Sequence, residues 1–238
     1  MSGTRPVIVA IDGPAGAGKS TVARRLAARL GYAMVDTGAI YRAVALAASR
    51  RGIAFDDDAG LSGILPSLTI AFEPPAREGD GPRVLLDGQD VSAEIRTPAI
   101  SLGASAVSAR PVVRDALLGL QRRLASDPRQ RGAVLEGRDI GTVVFPDADV
   151  KFFLTATPEE RARRRHAELA AKGGAPALAE VLADQTRRDR DDTERPVAPL
   201  RPAPDAILVD TSGVSLDEVV GALAHTVRSR LLDRGMSG

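Results

Sequence analysis

Val7-Ile8-Val9-Ala10-Ile11-Asp12-Gly13-Pro14-Ala15-Gly16-Ala17-Gly18-Lys19-Ser20 joins two patterns without a spacer. The first is a continuous, β-branched apolar run, which reads as a strand buried on both faces of a parallel sheet. The second, from Gly13 to Ser20, satisfies G-x-x-x-x-G-K-[ST]. Glycines let such a loop curl so that successive N–H groups face phosphate oxygens, and a helix starting near Lys19 adds the positive end of its dipole. Gly13, Pro14, Ala15, Gly16, Ala17, Gly18, Lys19, Ser20 and Thr21 are therefore the candidate nucleotide-binding residues. Lys19 is placed to reach β- and γ-phosphates, and the Ser20 hydroxyl to hold Mg²⁺.

Outward from this stretch, Val22, Leu26, Ala27 and Leu30 recur at helical spacing until Gly31. Ala33–Val35 is a short apolar piece, and Ile40, Val44, Leu46 and Ala47 predict a second helix ending near Gly52. Leu68–Phe72 and Arg83–Leu86 read as short strands around a polar Pro74–Pro82 turn, with Asp87-Gly88 as a further turn. Helical pattern resumes from Val112 to Leu124, and Gly132–Leu135 rises towards Glu136. Val150–Leu154 is a second buried-strand run, after which Thr157-Pro158-Glu159-Glu160 has the makings of a helix start. Ala206–Val209 is the last strand and Val214–Leu232 the last helix.

Strands alternating with helices predict a doubly wound α/β fold with a central parallel sheet. The expected division is a core of residues 1–65 and 99–238, with a lid at about 173–195, and a small β-rich insertion at 66–98. The chain has 238 residues, 44% hydrophobic and 26% charged, enough for one substantial core. Its 32 Lys and Arg balance 31 Asp and Glu, which supplies no electrostatic reason for a nucleic-acid or membrane partner. It has no cysteine, so disulfides and thiolate chemistry are excluded. The opening residues lack a signal-peptide core, and no run approaches the ~20 apolar residues that cross a bilayer. The reading is a cytoplasmic monomer.

Three arginine-bearing clusters could bind anions. Asp36-Thr37-Gly38-Ala39-Ile40-Tyr41-Arg42 puts an arginine one turn into a helix start, suited to a second phosphate, although a capped helix with a surface arginine reads the same way. Glu136-Gly137-Arg138-Asp139 follows a strand and so falls at the carboxyl edge of the sheet, where Arg138 could bridge two phosphates; a structural Arg–Asp pair is the alternative. Arg188, Asp192 and Arg195 are four and three apart, on one face if helical. They could close over phosphates as a lid or form a solvated face. The proline-rich Pro196–Pro204 stretch ends that helix. His166 and His225 read as surface helix residues.

Several strings occur together in order: Ile11-Asp12-Gly13-Pro14 into the phosphate loop, Asp36 to Arg42, Val91-Ser92-Ala93-Glu94-Ile95-Arg96, Glu136 to Pro146, and Val197-Ala198-Pro199-Leu200. In this combination the chain resembles the bacterial cytidylate kinases. The resemblance implies a P-loop kinase moving the γ-phosphoryl of ATP to CMP or dCMP with Mg²⁺, the 66–98 insertion belonging to a monophosphate-binding domain. It implies a monophosphate site with Thr37, Tyr41 and Arg42, and Ser105, Arg114 and Asp139 around the base. Arg188 and Asp192 are implied as ribose and lid contacts, and Arg138 and Arg195 as neighbours of the transferred phosphate, so that Lys19, Arg138, Arg188 and Arg195 are the catalytic set. Thr37 and Glu136 depart from the Ser and Asp common in that family, keeping a hydroxyl and a charge.

The absence of an Asn/Thr-Lys-x-Asp segment argues against a GTPase switch. Two other readings stand beside the kinase of CMP: a P-loop kinase of shikimate or another monophosphate, and a nucleotide-binding regulator that binds ATP without turnover.

Overall fold

The computed structural model describes residues 5–73, 81–127, 129–171, 173–174, 176–233 and 235. The chain divides into two compact units, one of residues up to Val35 and from Ala125 onward, the other Asp36–Leu124.

The first unit is built on a five-stranded sheet of β1 (Val7–Asp12), β2 (Ala33–Asp36), β6 (Gly132–Gly137), β7 (Val150–Thr155) and β8 (Ile207–Asp210), in the order β2-β6-β1-β7-β8. β1 runs parallel to β6 on one side, Asp12 opposite Gly137, and to β7 on the other, Asp12 opposite Phe153. Every residue of β1 and of β6 is buried, which is why both lack the alternation of a half-exposed strand. α1 (Lys19–Leu30) and α8 (Leu216–Asp233) pack together beside the sheet. Their apolar faces close a core around Ile11, Leu26, Phe152, Leu154, Leu223 and Leu231. α6 (Pro158–Ala170) and α7 (Leu178–Glu194) pack against each other as a helix pair. Thr157 caps α6 through its hydroxyl, which accepts the Glu160 N–H at 3.3 Å, and Pro158 takes the first position.

The second unit holds α2 (Thr37–Arg50), α3 (Asp58–Ile64), a three-stranded antiparallel sheet, α4 (Pro98–Ser108) and α5 (Pro111–Ala125), which ends at the unit's border. The small sheet comprises β3 (Ile70–Glu73), β4 (Arg83–Leu86) and β5 (Gln89–Asp90). β4 and β5 are joined through Asp87 (φ 51°) and Gly88 (φ 81°), the two left-handed residues that a type I′ hairpin requires. The Pro74–Pro82 turn lies outside the described residues for 74–80. The 66–98 segment is thus part of a larger unit whose core is α2, buried without a break from Ala43 to Ala48 and surrounded by Leu61, Ile95, Val107 and Val113. Gly103 of α4 lies against the Phe55 ring, where an added Cβ would come within 2.5 Å of a ring carbon.

Neither α3 nor α4 is foreshadowed in the sequence pattern. α3 contains two glycines and buries only Leu61. α4 buries Ile100, Gly103 and Val107, so its inward stripe is helical in spacing but interrupted by a glycine that carries no hydrophobic signal.

Candidate active site

The phosphate loop leaves β1 at its carboxyl end and enters α1 at Lys19. Gly13 (φ 148°), Gly16 (φ 78°) and Gly18 (φ 84°) take backbone conformations that residues with a Cβ rarely adopt. A Cβ on Gly13 would lie 2.0 Å from the Leu154 carbonyl oxygen. Gly18 caps α1 without any side-chain acceptor, and the first turn carries no acid, so the helix start keeps its N–H groups and positive dipole end for an anion.

Lys19 is 6% exposed, and its ammonium donates to the Pro14 carbonyl at 2.7 Å. Burial pushes it down to about 7; the nearby Arg138 guanidinium acts in the same direction, while Glu136, Asp192 and Asp12 oppose. A cation desolvated in this way is matched to an incoming polyanion. The Ser20 hydroxyl donates to a Glu136 carboxylate oxygen. This hydroxyl–carboxylate pair is an all-oxygen donor set of the kind a hard divalent cation takes. Among the described residues no group of three or more His, Cys, Asp or Glu could hold a metal alone, so a cation here would draw most of its ligands from nucleotide phosphates and water.

Asp12, the last residue of β1, is a site residue that the phosphate-loop motif does not single out. Its two carboxylate oxygens accept the N–H groups of Ile140 and Gly141, each at 2.8 Å. The turn bearing Arg138 and Asp139 is thereby fixed to the strand that launches the phosphate loop, and the chain continues into a π-helical turn, Ile140–Val144. Burial pushes the Asp12 carboxyl up to about 6; those two N–H groups lower it, and Asp139 adds repulsion.

Arg138 donates from Nε to Asp192 of α7 at 2.7 Å. Burial opposes the charge of Asp192, but Arg138, Arg195 and Arg188 outweigh it and hold the carboxyl below its usual range. Arg138 is likewise desolvated, and Asp192 and Glu136 overcome this to hold its guanidinium above its ordinary range. Arg195 lies one residue beyond α7, so the helical face holds only Arg188 and Asp192. Arg195 still comes within 3.9 Å of Asp192 and 3.8 Å of Asp139. Its Nε donates to the Ala198 carbonyl at 2.7 Å, and Ala198 adopts φ 50°, an uncommon conformation for a residue with a Cβ. The Leu200 N–H bonds the Asp192 carbonyl at 2.8 Å, folding the Val197–Leu200 string back onto the helix end.

In the second unit, Asp36 caps α2: one carboxylate oxygen accepts the Ala39 N–H at 2.8 Å, the other an Arg42 guanidinium N–H at 2.9 Å. The Nε of Arg42 is buried and has no hydrogen-bond partner among the described residues. Arg114 is buried, with its guanidinium 5.8 Å from the Tyr41 ring centroid and one N–H on the Ser108 carbonyl at 3.1 Å. The Ser105 hydroxyl approaches the Ser101 carbonyl of the preceding turn at 3.5 Å, and Thr37 is buried at the start of α2. Thr37, Tyr41, Arg42, Ser105 and Arg114 thus belong to one unit, whereas Lys19, Ser20, Thr21, Arg138, Asp139, Arg188, Asp192 and Arg195 belong to the other.

A five-stranded parallel α/β sheet launching a glycine loop with a buried lysine defines a P-loop nucleotide-binding fold. The family model described as cytidylate kinase matches residues 9–229. A cytidylate kinase of Geobacter sulfurreducens is 57% identical over 229 residues, covering 96% of each chain. One of Nocardia farcinica is 48% identical over 232 residues, covering 97% of each. The chain belongs to the cytidylate kinase family. Among solved structures, an uncharacterized protein from Eubacterium ventriosum shares the fold at a TM-score of 0.51 and 12% identity, covering 94% of this chain and 99% of the other.

Proposed function

We propose that the protein transfers the γ-phosphoryl of ATP to CMP or dCMP, giving ADP and CDP or dCDP. The observation that carries the reading is the glycine loop with buried, desolvated Lys19, set within a chain belonging to the cytidylate kinase family. Family membership sets aside both the other P-loop kinases and the non-catalytic regulator. Small-molecule substrates suit a balanced net charge of +1. Among the described residues no helix is long and apolar enough to cross a membrane. We take the chain to act as a cytoplasmic monomer.

Residues 13–21 cradle the ATP phosphates with backbone N–H groups, and Lys19 neutralises the β- and γ-oxygens. Ser20, with Glu136 beside it, would hold Mg²⁺, which when bound screens phosphate charge and supplies a Lewis acid. A CMP phosphate oxygen, already ionised, attacks the γ-phosphorus in line; the new P–O bond forms as the bond to the β,γ-bridging oxygen breaks, and ADP departs. No general base is needed, because the attacking oxygen carries no proton to remove. Arg138, Arg188 and Arg195 spread stabilising charge over the transferred group, with Asp192 holding Arg138 in line. The second unit binds the acceptor: Arg42 and Thr37 take the phosphate, and Tyr41, Ser105 and Arg114 the nucleoside. Asp139 and Asp192 add contacts to base and sugar.

A coupled assay of ADP formation with ATP, Mg²⁺ and, separately, CMP, dCMP, UMP, AMP and shikimate tests the reading. Stimulation by CMP and dCMP far above the rest is expected. Equal response across the panel would overturn the acceptor assignment.

A further inference from the structure

Arg161, at the start of α6, is 6% exposed yet is no part of any nucleotide-binding motif. Its guanidinium bonds three separate elements. Nε donates to the Ala156 carbonyl at 3.0 Å, at the exit of β7. One terminal nitrogen donates both to the Ala15 carbonyl of the phosphate loop at 3.0 Å and to the Asp189 carboxylate of α7 at 2.5 Å. Gln185, one turn before Asp189, donates to the Arg161 carbonyl at 3.4 Å and lies against Gly16, where an added Cβ would come within 2.6 Å of its amide nitrogen.

From this arrangement we infer that Arg161 is a positioning residue that latches the phosphate loop to α7, so that loop and lid helix move as one body. A guanidinium is planar and rigid, so acceptors on three elements fix their mutual orientation where a lysine would leave them free to pivot. In a trans peptide the C=O and the following N–H point in opposite directions. Holding the Ala15 carbonyl towards Arg161 therefore turns the Gly16 N–H away from α6. On the α7 side, Asp189 is next to Arg188 and three residues before Asp192, which holds Arg138. Displacement of the loop is thus conveyed to the residues that carry the lid's charge.

The network is a costly one. The second carboxylate oxygen of Asp189 and the amide oxygen of Gln185 are both buried without a hydrogen-bond partner among the described residues. Unsatisfied buried acceptors lower stability, so geometry is the better account of why this cluster is polar.

This inference rests on reading the loop as the ATP site, and hydrogen exchange separates the two. With a non-hydrolysable ATP analogue and Mg²⁺, the wild type is expected to show slowed exchange in residues 13–21 and in 185–194. In Arg161→Met and Asp189→Asn the loop stays protected by the analogue while protection of 185–194 is lost. Turnover should fall by about tenfold in Asp189→Asn, the scale of one charge-assisted hydrogen bond, with KM for ATP changed far less. Arg161→Lys should recover only part of it. If Arg161→Met does not fold, Asp189→Asn carries the test. Protection of 185–194 equal to wild type in the variants overturns the latch. Absence of loop protection in the wild type overturns the ATP reading itself, and the latch with it.

Discussion

The two units differ in how densely charge is buried around their candidate residues. In the unit with the phosphate loop, charges are buried against other charges: Lys19 lies near Glu136, Asp12 and Asp192, Arg138 is bonded to Asp192, and Arg161 to Asp189. In the unit from Asp36 to Leu124, Arg42 and Arg114 are carried on helices of an apolar core, Arg42 in a single ion pair with the Asp36 carboxylate that caps α2, and Arg114 near the Tyr41 ring face and on the Ser108 carbonyl. The contrast fits the proposed division of chemistry. Where charge develops on a transferring phosphoryl group, preorganised buried dipoles and ions are worth most. Where a substrate is recognised and held, a stable scaffold with a few polar groups suffices.

Neutralising Lys19 attacks the first unit where the contrast is greatest. Lys19→Met is expected to lower kcat/KM for CMP by about 10²–10³-fold, the scale of losing one preorganised charge donor. Stability of the ligand-free protein should not fall with it. The folded state holds the Lys19 proton less tightly than the unfolded chain, so between about pH 7 and 10 this residue's contribution to stability rises with pH. That slope should vanish in the variant. Thermal unfolding across this range, beside steady-state kinetics, checks both; a parallel collapse of stability and activity would mean that Lys19 is structural.

Arg42→Met probes the second unit and should act on binding alone. KM for CMP is expected to rise by about 10–10²-fold, the worth of one or two charge-assisted hydrogen bonds, with KM for ATP nearly unchanged. Equal rises in both constants would erase the distinction between the units. Far-ultraviolet circular dichroism of the variant would show α2 intact, because Asp36 still caps it through Ala39.

The legibility of the two units differs for the same reason. β1, β6 and β7 are largely buried strands of mainly apolar residues, with Glu136 near the end of β6 and Lys151 inside β7, and the loop has a fixed residue spacing, so the first unit's frame can be read locally. The small sheet is announced by Asp87-Gly88, but α3 and α4 are built from glycine, serine and alanine and carry too little apolar period to be seen. Thr37 falls in a string legible as a helix start, but Ser105 and Arg114 have no local signature at all, and only resemblance to a family points to them. Asp12 and Arg161 escape a sequence reading because their partners, Ile140, Gly141, Ala15 and Asp189, are reached only through tertiary folding. A signal for Asp12 does exist: a charged residue closing an otherwise apolar buried strand needs a partner.

The smallest effect is expected at Asp12, and pH exposes it. Ionised, the carboxylate accepts both N–H groups of the turn behind Arg138 and Asp139; protonated, one oxygen becomes a donor facing an N–H. Because its folded value of about 6 lies above 3.8, the folded state binds this proton more tightly than the unfolded chain. Its contribution to stability is therefore largest at low pH and declines as pH climbs from about 4 to 6. Activity is expected to run the other way, since the ionised carboxylate accepts from both N–H groups of the turn. The acceptor's own second phosphate ionisation, near 6 for phosphate monoesters, adds an acid limb to any profile, so wild type alone cannot isolate Asp12. Asp12→Asn keeps the shape and one acceptor, and is expected to lower kcat by about threefold to tenfold at neutral pH. The ratio of wild-type to variant kcat should then shrink as pH falls through 6. A ratio constant from pH 5 to 8 would show that Asp12 does not titrate in the working enzyme, and a ratio of one would show that the Arg138–Asp139 turn is held without it, by the backbone pairing of β1 with β6.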